Sequence, residues 1–188
     1  VDRVHATGNV AISDDGYEEV TLLAGGFVGQ NDGTIRDSYA RGNVTVTSSG
    51  GGLYNYINAG GFVGLIGENG VVARSYSTGR INTAIAEGPL VAIGGFAGDS
   101  YGPAAPSNVW DVTTSGRTSS AVGVGRTTAQ LQNTLGFISF ASPRGWEFTG
   151  DGAVWSPGEA GRYPSLYATS PVVYVVPTAL SVVYGETG

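Results

Sequence analysis

The chain has 188 residues, of which 32 are glycine and 41% are hydrophobic, and it carries a formal net charge of −6. It contains no cysteine, methionine or lysine, so all nine basic residues are arginine. That composition excludes a disulfide framework, a thiol nucleophile, an iron–sulfur or zinc–thiolate site, and Schiff-base or Walker-type lysine chemistry. The acidic balance argues against nucleic acid, which calls for a basic stripe.

No apolar run approaches the roughly 18 residues of a membrane helix. Val1-Asp2-Arg3-Val4 lacks the basic start and apolar stretch of a signal peptide, so a secreted protein would carry its signal upstream. Val4 to Val10 aligns with Ser38 to Val44, placing Gly8 against Gly42 and His5 in the slot of Tyr39. The chain is therefore expected to begin inside a repeat of something longer. Val10 to Ser13 alternates apolar and polar residues as a strand does. An acidic loop, Asp14-Asp15-Gly16-Tyr17-Glu18-Glu19, follows.

Next comes Gly25-Gly26-Phe27-Val28-Gly29, which recurs as Gly60-Gly61-Phe62-Val63-Gly64 and as Gly94-Gly95-Phe96-Ala97-Gly98. A second block, Asp37-Ser38-Tyr39-Ala40-Arg41-Gly42, returns as Arg74-Ser75-Tyr76-Ser77-Thr78-Gly79, and in diverged form as Asn108-Val109-Trp110-Asp111. Asn31-Asp32-Gly33 and Glu68-Asn69-Gly70 are turn signals. The second repeat inserts Gly67-Glu68 before its turn and is expected to bulge there. A repeat of about 35 residues cannot bury its own apolar face, whereas stacked repeats can.

The expected fold is all-β: a right-handed parallel β-helix, or β-solenoid, over residues 1–125. Phe27, Phe62 and Phe96 would form one aromatic ladder, and Tyr39, Tyr76 and Trp110 another. Variable loops at Asp14–Glu19, Ser48–Asn58 and Ala84–Leu90 read as insertions on one face.

Residues 126–168 break the pattern. Thr127 to Leu135 opens with a capping box, Thr127 with Gln130, and predicts one short helix. Trp146-Glu147-Phe148 and Ala153-Val154-Trp155 read as a strand pair. Together they are expected to cap the last open rung, because an exposed strand edge invites aggregation. Residues 169–188 read as a linker and the first strands of a further unit.

Residues 25–44 resemble the GLUG repeat. Val109 to Gly116, Arg126 to Leu131, Gly145 to Phe148 and Arg162 to Leu166 resemble the segment that closes GLUG arrays. Residues 172–188, with Ala179-Leu180-Ser181-Val182-Val183-Tyr184-Gly185, resemble the start of an MBG-type module. The resemblance implies a segment of a large bacterial surface or secreted protein similar to filamentous haemagglutinins, and hence an extracellular adhesin stalk. It implies no catalytic residue and no cofactor.

His5, the only histidine, is read as a packing residue, and no Gly-x-Ser-x-Gly elbow presents a serine to it. Asp32, Asp37 and Glu68 are read as turn residues rather than a glycosidase or lyase pair. Asp14, Asp15, Glu18 and Glu19 are read as a solvated loop rather than a carboxylate pair or a calcium site, because their spacing fits no EF-hand or nonapeptide repeat. Tyr54, Tyr56 and Tyr101 are read as covering the solenoid edge, with stacking on sugar rings as the alternative. Arg36, Arg41, Arg74 and Arg80, with Asp37 and Asp99, read as a solvated, partly paired face. The partners expected are a surface glycan or protein, neighbouring modules of the same chain, or further copies assembling into a filament.

Overall fold

A computed structural model describes residues 1–14, 20–49, 56–85 and 90–168. The chain winds through three successive repeats. The first contributes β1 (His5–Ala6), β2 (Val10–Asp14), β3 (Thr21–Gly25), β4 (Val28–Asn31) and β5 (Thr34–Arg36). The second supplies β6 (Tyr39–Ala40), β7 (Val44–Ser48), β8 (Tyr56–Gly60), β9 (Val63–Ile66) and β10 (Val71–Ala73). The third adds β11 (Tyr76–Ser77), β12 (Ile81–Ile85), β13 (Leu90–Gly94) and β14 (Ala97–Ser100). Then come β15 (Val109–Asp111), α1 (Val112–Ser115), β16 (Val124–Arg126), α2 (Thr128–Leu131), α3 (Thr134–Ala141), a 3-10 turn at Ser142–Arg144, β17 (Trp155–Ser156) and β18 (Ser165–Leu166).

The fold is all-β, with short helices only after residue 111. Each strand pairs in parallel with its equivalent in the next repeat. Five sheets result: β1-β6-β11-β15-β16, β2-β7-β12, β3-β8-β13, β4-β9-β14 and β5-β10, called the first to fifth sheets here. Register follows the sequence repeat: His5 lies against Tyr39 and Tyr39 against Tyr76, while Val28 lies against Val63 and Val63 against Ala97.

Inward-facing Val44, Val46, Ile57, Phe62, Ile66 and Val72 are buried. The Phe27, Phe62 and Phe96 rings stack at 4.8 Å and within 6° of parallel, which is the spacing of hydrogen-bonded strands. Backbone pairing thus fixes the ring geometry. Beside Phe27 and Phe62 the chain turns so sharply that one carbonyl of the next layer receives two successive N–H groups: Phe62 N and Val63 N both donate to Phe96 O. Only glycine fits this corner. A Cβ on Gly60 would stand 2.1 Å from Val63 O and 2.5 Å from Phe96 O.

Polar side chains form ladders of their own. Asn43 N donates to Asn9 Oδ1 and Arg80 N to Asn43 Oδ1, both at 2.9 Å. Ser38 N donates to Ser75 Oγ, and Ser75 N to Asn108 Oδ1. The residue before each of these serines, Asp37 or Arg74, adopts a left-handed backbone (φ 48° and 49°). That kink carries the chain from the fifth sheet into the first and brings the two side chains together across the layers.

The Gly67-Glu68 insertion does not distort the sheets. Gly67 N donates to Asn31 O and Gly70 N to Gly67 O, so Glu68 and Asn69 project as a tight turn. Pairing resumes with Val71 on Thr34.

Four further expectations need correction. Val109, not Trp110, occupies the Tyr76 slot, and Trp110 pairs with Ser77. A one-residue slip turns a strand side chain to the opposite face, so the indole packs inside against Phe96 and Val122.

The strand pair also differs. Trp155–Ser156 pairs antiparallel with Ser165–Leu166, while Trp146 to Phe148 is irregular and Glu147 O accepts from Val154 N and Trp155 N. In place of one helix there are two, α2 with the expected capping box and α3 capped by Asn133.

Finally, residues 126–168 do not sit on the last rung. They lie along the outer face of the first sheet, where Leu131, Phe137, Trp146, Trp155 and Leu166 cluster with Tyr39, Tyr76 and Val109. The last layer is covered by an earlier stretch. Gly95 N donates to Ser119 O, Phe96 N and Ala97 N donate to Ser120 Oγ, and Arg117 reaches Ile81 O.

Replacing Gly60 by alanine is expected to cost about 3 kcal/mol through backbone overlap. Gly33→Ala, where a Cβ meets nothing within 4 Å, should stay within about 0.5 kcal/mol of the parent. Urea unfolding followed by circular dichroism checks both.

Candidate functional site

The region of densest side-chain chemistry is the seam between the first sheet and residues 126–168. Strand alternation sends Tyr39 and Tyr76 outward, while Ala40 and Ser77 face in, Ser77 Oγ donating to Gly95 O at 2.8 Å. His5, Tyr39 and Tyr76 form one stacked row with centroids 4.9 and 5.1 Å apart. His5 is exposed at its end.

Each layer anchors the covering segment. The Arg41 guanidinium lies 4.5 Å from the Tyr39 ring centre and donates to Tyr76 Oη and to Pro164 O. Tyr76 Oη in turn donates to Pro164 O. Asp37 accepts a two-pronged contact from Arg74, at 2.8 Å from Nε and 2.6 Å from Nη2, and a bond from Trp155 Nε1 at 3.1 Å. Asp111 is fully buried and caps α1, accepting from Thr113 N and Thr114 N. It also accepts from Thr128 Oγ1 at 2.6 Å and Tyr163 Oη at 2.7 Å.

These environments move the titrations. Burial pushes the Tyr76 hydroxyl well above its ordinary value, with the Arg41 charge pulling weakly the other way. Tyr163 is raised by burial and by its bond to Asp111. The bond to Asp37 raises Arg74.

Arg41 and Arg74 therefore do not belong to a solvated face, and neither does Asp37. They are locked in the seam, whereas Arg36 and Arg80 are exposed. Asp99 caps Ser100 N at 2.8 Å, Asp32 accepts from Gln30 Nε2 at 2.7 Å, and Glu68 sits in its exposed turn. These carboxylates are spread over separate corners.

Asp14 ends β2 and accepts from Ser48 Oγ at 3.2 Å. Asp15, Glu18, Glu19 and Tyr54 lie outside the described residues, as do residues 169–188. Among the described residues no group of three or more His, Cys, Asp or Glu side chains is arranged to hold a metal ion, and no helix is long and apolar enough to cross a membrane.

Tyr56 and Tyr101 are both exposed. Tyr56 opens a strand of the third sheet and Tyr101 follows the end of one in the fourth, so the full run of both strands separates them.

Sequence reasoning passed over Asp111, although Asp-x-Thr-Thr is a helix-start signature. It also passed over Arg126, Phe140 and Arg144. The four-residue spacing of the last two, side by side on a helical surface, was the available signal.

With no lysine or cysteine, the ten tyrosines are the side chains that titrate between roughly pH 9 and 12. A raised folded-state value means the folded chain holds its proton longer than the unfolded one. The contribution of Tyr76 to stability is thus intact below about pH 10 and is lost as pH climbs above it. Chemical unfolding at pH 8 and pH 11 should show the loss, and Tyr76→Phe should flatten it while costing about 1–3 kcal/mol at neutral pH.

No curated protein and no solved structure matches the chain. The family model that does match is the GLUG motif, over residues 21–47. That span runs from the start of β3 into β7 and takes one strand from each of the five sheets, a single complete circuit. A GLUG motif is consistent with a general adhesin-related role. Residues 21–47 are thus one GLUG motif, folded as one circuit of the stack.

Proposed function

We propose that the chain is a right-handed β-solenoid segment of an extracellular adhesin, carried on a bacterial cell surface or secreted, and that its work is structural. Stacked backbone ladders and aromatic rows make a stiff spacer that holds binding modules away from the cell. The observation that carries this reading is the parallel, in-register pairing of each repeat with the next. Such an array lengthens by one strand spacing per repeat and keeps its cross-section.

In this reading the chain performs no catalysis and needs no cofactor. Adhesion, where this segment contributes to it, resides in the variable loops that join the second sheet to the third. Residues 172–188 would open an MBG-type module for which the solenoid serves as a base.

Glycan stacking on loop tyrosines receives less support, because Tyr56 and Tyr101 stand at opposite ends of a two-strand path. Filament growth by end-to-end stacking is hindered at the last layer, where Arg117 to Ala121 occupy the strand edge.

The test is length. Two extra tandem copies of residues 5–38, placed ahead of His5, add layers beyond the reach of the seam. Small-angle scattering should show the molecule extended by about 10 Å along the stacking axis, with an unchanged cross-section. An unchanged length, or extra copies that remain unfolded, would sink the solenoid reading.

A further inference from the structure

Phe140, on α3, is held between two cations. The Arg126 guanidinium carbon lies 3.8 Å from the ring centre and that of Arg144 lies 4.0 Å from it. Arg144 also donates to Phe140 O at 2.7 Å. Among the described residues neither arginine forms an ion pair with a carboxylate, for the three pairs present use Arg3, Arg74 and Arg162. Buried Arg126 Nε has no hydrogen-bond partner. Two like charges sharing one ring, with no anion beside them, form an uncompensated patch on a chain whose net charge is −6.

That patch borders a hollow of about 340 Å³ lined by Arg126, Gln130, Asn133, Phe137 and Phe140. The two carboxamides are oriented by capping bonds. Gln130 Oε1 accepts from Thr127 N at 3.0 Å, and Asn133 Oδ1 accepts from Gly136 N at 2.8 Å. Each oxygen has a lone pair committed to its cap, while among the described residues both N–H donors of each amide have no bond of their own. The polar side chains of the hollow, one guanidinium and two amides, thus carry a surplus of donors. A donor-rich lining is matched by an oxyanion and poorly matched by a cation. Burial lowers the Arg126 titration, and repulsion from Arg144 lowers it further.

We propose that this hollow is a binding site for a carboxylate or sulfate group carried on a sugar-sized body, with Arg126 taking the charge and the Gln130 and Asn133 amides its remaining oxygens. The volume exceeds what a bare inorganic oxyanion fills, and the walls of Phe137 and Phe140 suit the apolar edge of a small organic ring. Acidic saccharide chains displayed on surfaces have this chemistry. That choice of carrier rests on the extracellular reading, whereas the oxyanion itself does not.

The intact chain would be titrated with sodium glucuronate, glucose 6-sulfate, glucose and sodium sulfate, following the side-chain amide signals of Gln130 and Asn133 by nuclear magnetic resonance. Both acidic sugars are expected to shift those signals with affinities on the order of 1–10 mM, and glucose is expected to leave them in place. Gln130→Glu keeps the capping box and Asn133→Asp keeps the helix cap, yet each replaces a donor with a negative oxygen. Each should weaken acidic-sugar binding about tenfold or more, read from the surviving amide, with the fold intact. Arg126→Gln should do the same.

Silence of both amides up to about 50 mM of either acidic sugar, far beyond the millimolar range, would overturn the proposal. So would binding that survives Gln130→Glu and Asn133→Asp unchanged. Inorganic sulfate binding as tightly as glucose 6-sulfate would overturn the sugar-sized carrier. None of these results bears on the scattering test, so the site and the spacer reading fail independently.

Discussion

The constraint on which the rest of the structure depends is the hydrogen-bond ladder between strands one repeat apart. Parallel pairing fixes layers near 4.8 Å, and every ladder of side chains inherits that distance, including the 4.8 Å separation of the phenylalanine rings. The glycines follow from the same constraint. Gly25, Gly60 and Gly94 occupy corners where the backbones of adjacent layers touch, and the space a Cβ would need is filled by carbonyl oxygens or Cα atoms. High glycine content here is the condition for turning the chain five times per repeat without losing pairing, not a mark of disorder.

A stack built this way has two exposures to solve, its end and its outer faces, and this chain solves them separately. The end is closed by a shortened last circuit. The first sheet passes from β15 to β16 within fifteen residues, and Arg117 to Ala121 cross the strand edge on the way. The outer faces are mostly polar, but the first sheet carries a row of tyrosines that would be a long apolar stripe in water. Residues 126–168 cover it. Their hold is both apolar and polar, because Asp37 and Arg41, flanking β6, and Asp111, ending β15, bridge to Trp155, Pro164 and Tyr163. Breaking one member of such a buried network leaves its partner unsatisfied, which costs more than the bond itself gains.

The repeat region was legible because its signal is redundant. Gly-Gly-Phe recurs at a fixed period, and the spacing alone gives the register of Phe27, Phe62 and Phe96 and of Tyr39 and Tyr76. Trp110 was misplaced because the third repeat is one residue shorter than alignment by its aromatic assumes, and in a strand one residue reverses the face. The position of the closing segment was not legible at all. Its decisive bonds join residues 88, 118 and 123 positions apart, and nothing local in Pro164 or Trp155 encodes which surface they will meet. The helix α3 escaped for a different reason. Thr-Leu-Gly-Phe-Ile-Ser-Phe-Ala carries a glycine and apolar residues all round, Leu135 being 80% exposed, so periodicity gives no face.

The same accounting separates the arginines. Arg36, Arg41, Arg74 and Arg80 occur in one repeat pattern, yet only Arg41 and Arg74 are drawn into the seam, because only they lie at the corners flanking the outward tyrosines. There each finds a partner: a tyrosine hydroxyl and a carbonyl for Arg41, a carboxylate for Arg74. Arg126 stands just beyond that seam and finds none. In a chain where the buried carboxylates Asp37 and Asp111 are each held by three or more donors, a guanidinium facing only an aromatic ring and amide donors departs from the local rule. Most buried polar side chains elsewhere among the described residues are satisfied by the neighbouring layer or by the covering segment, Ser100 Oγ and Arg117 Nε being the other exceptions. Among the described residues the hollow beside Arg126 borders no carboxylate, which is why its donors are the ones left to meet a partner such as the oxyanion proposed above.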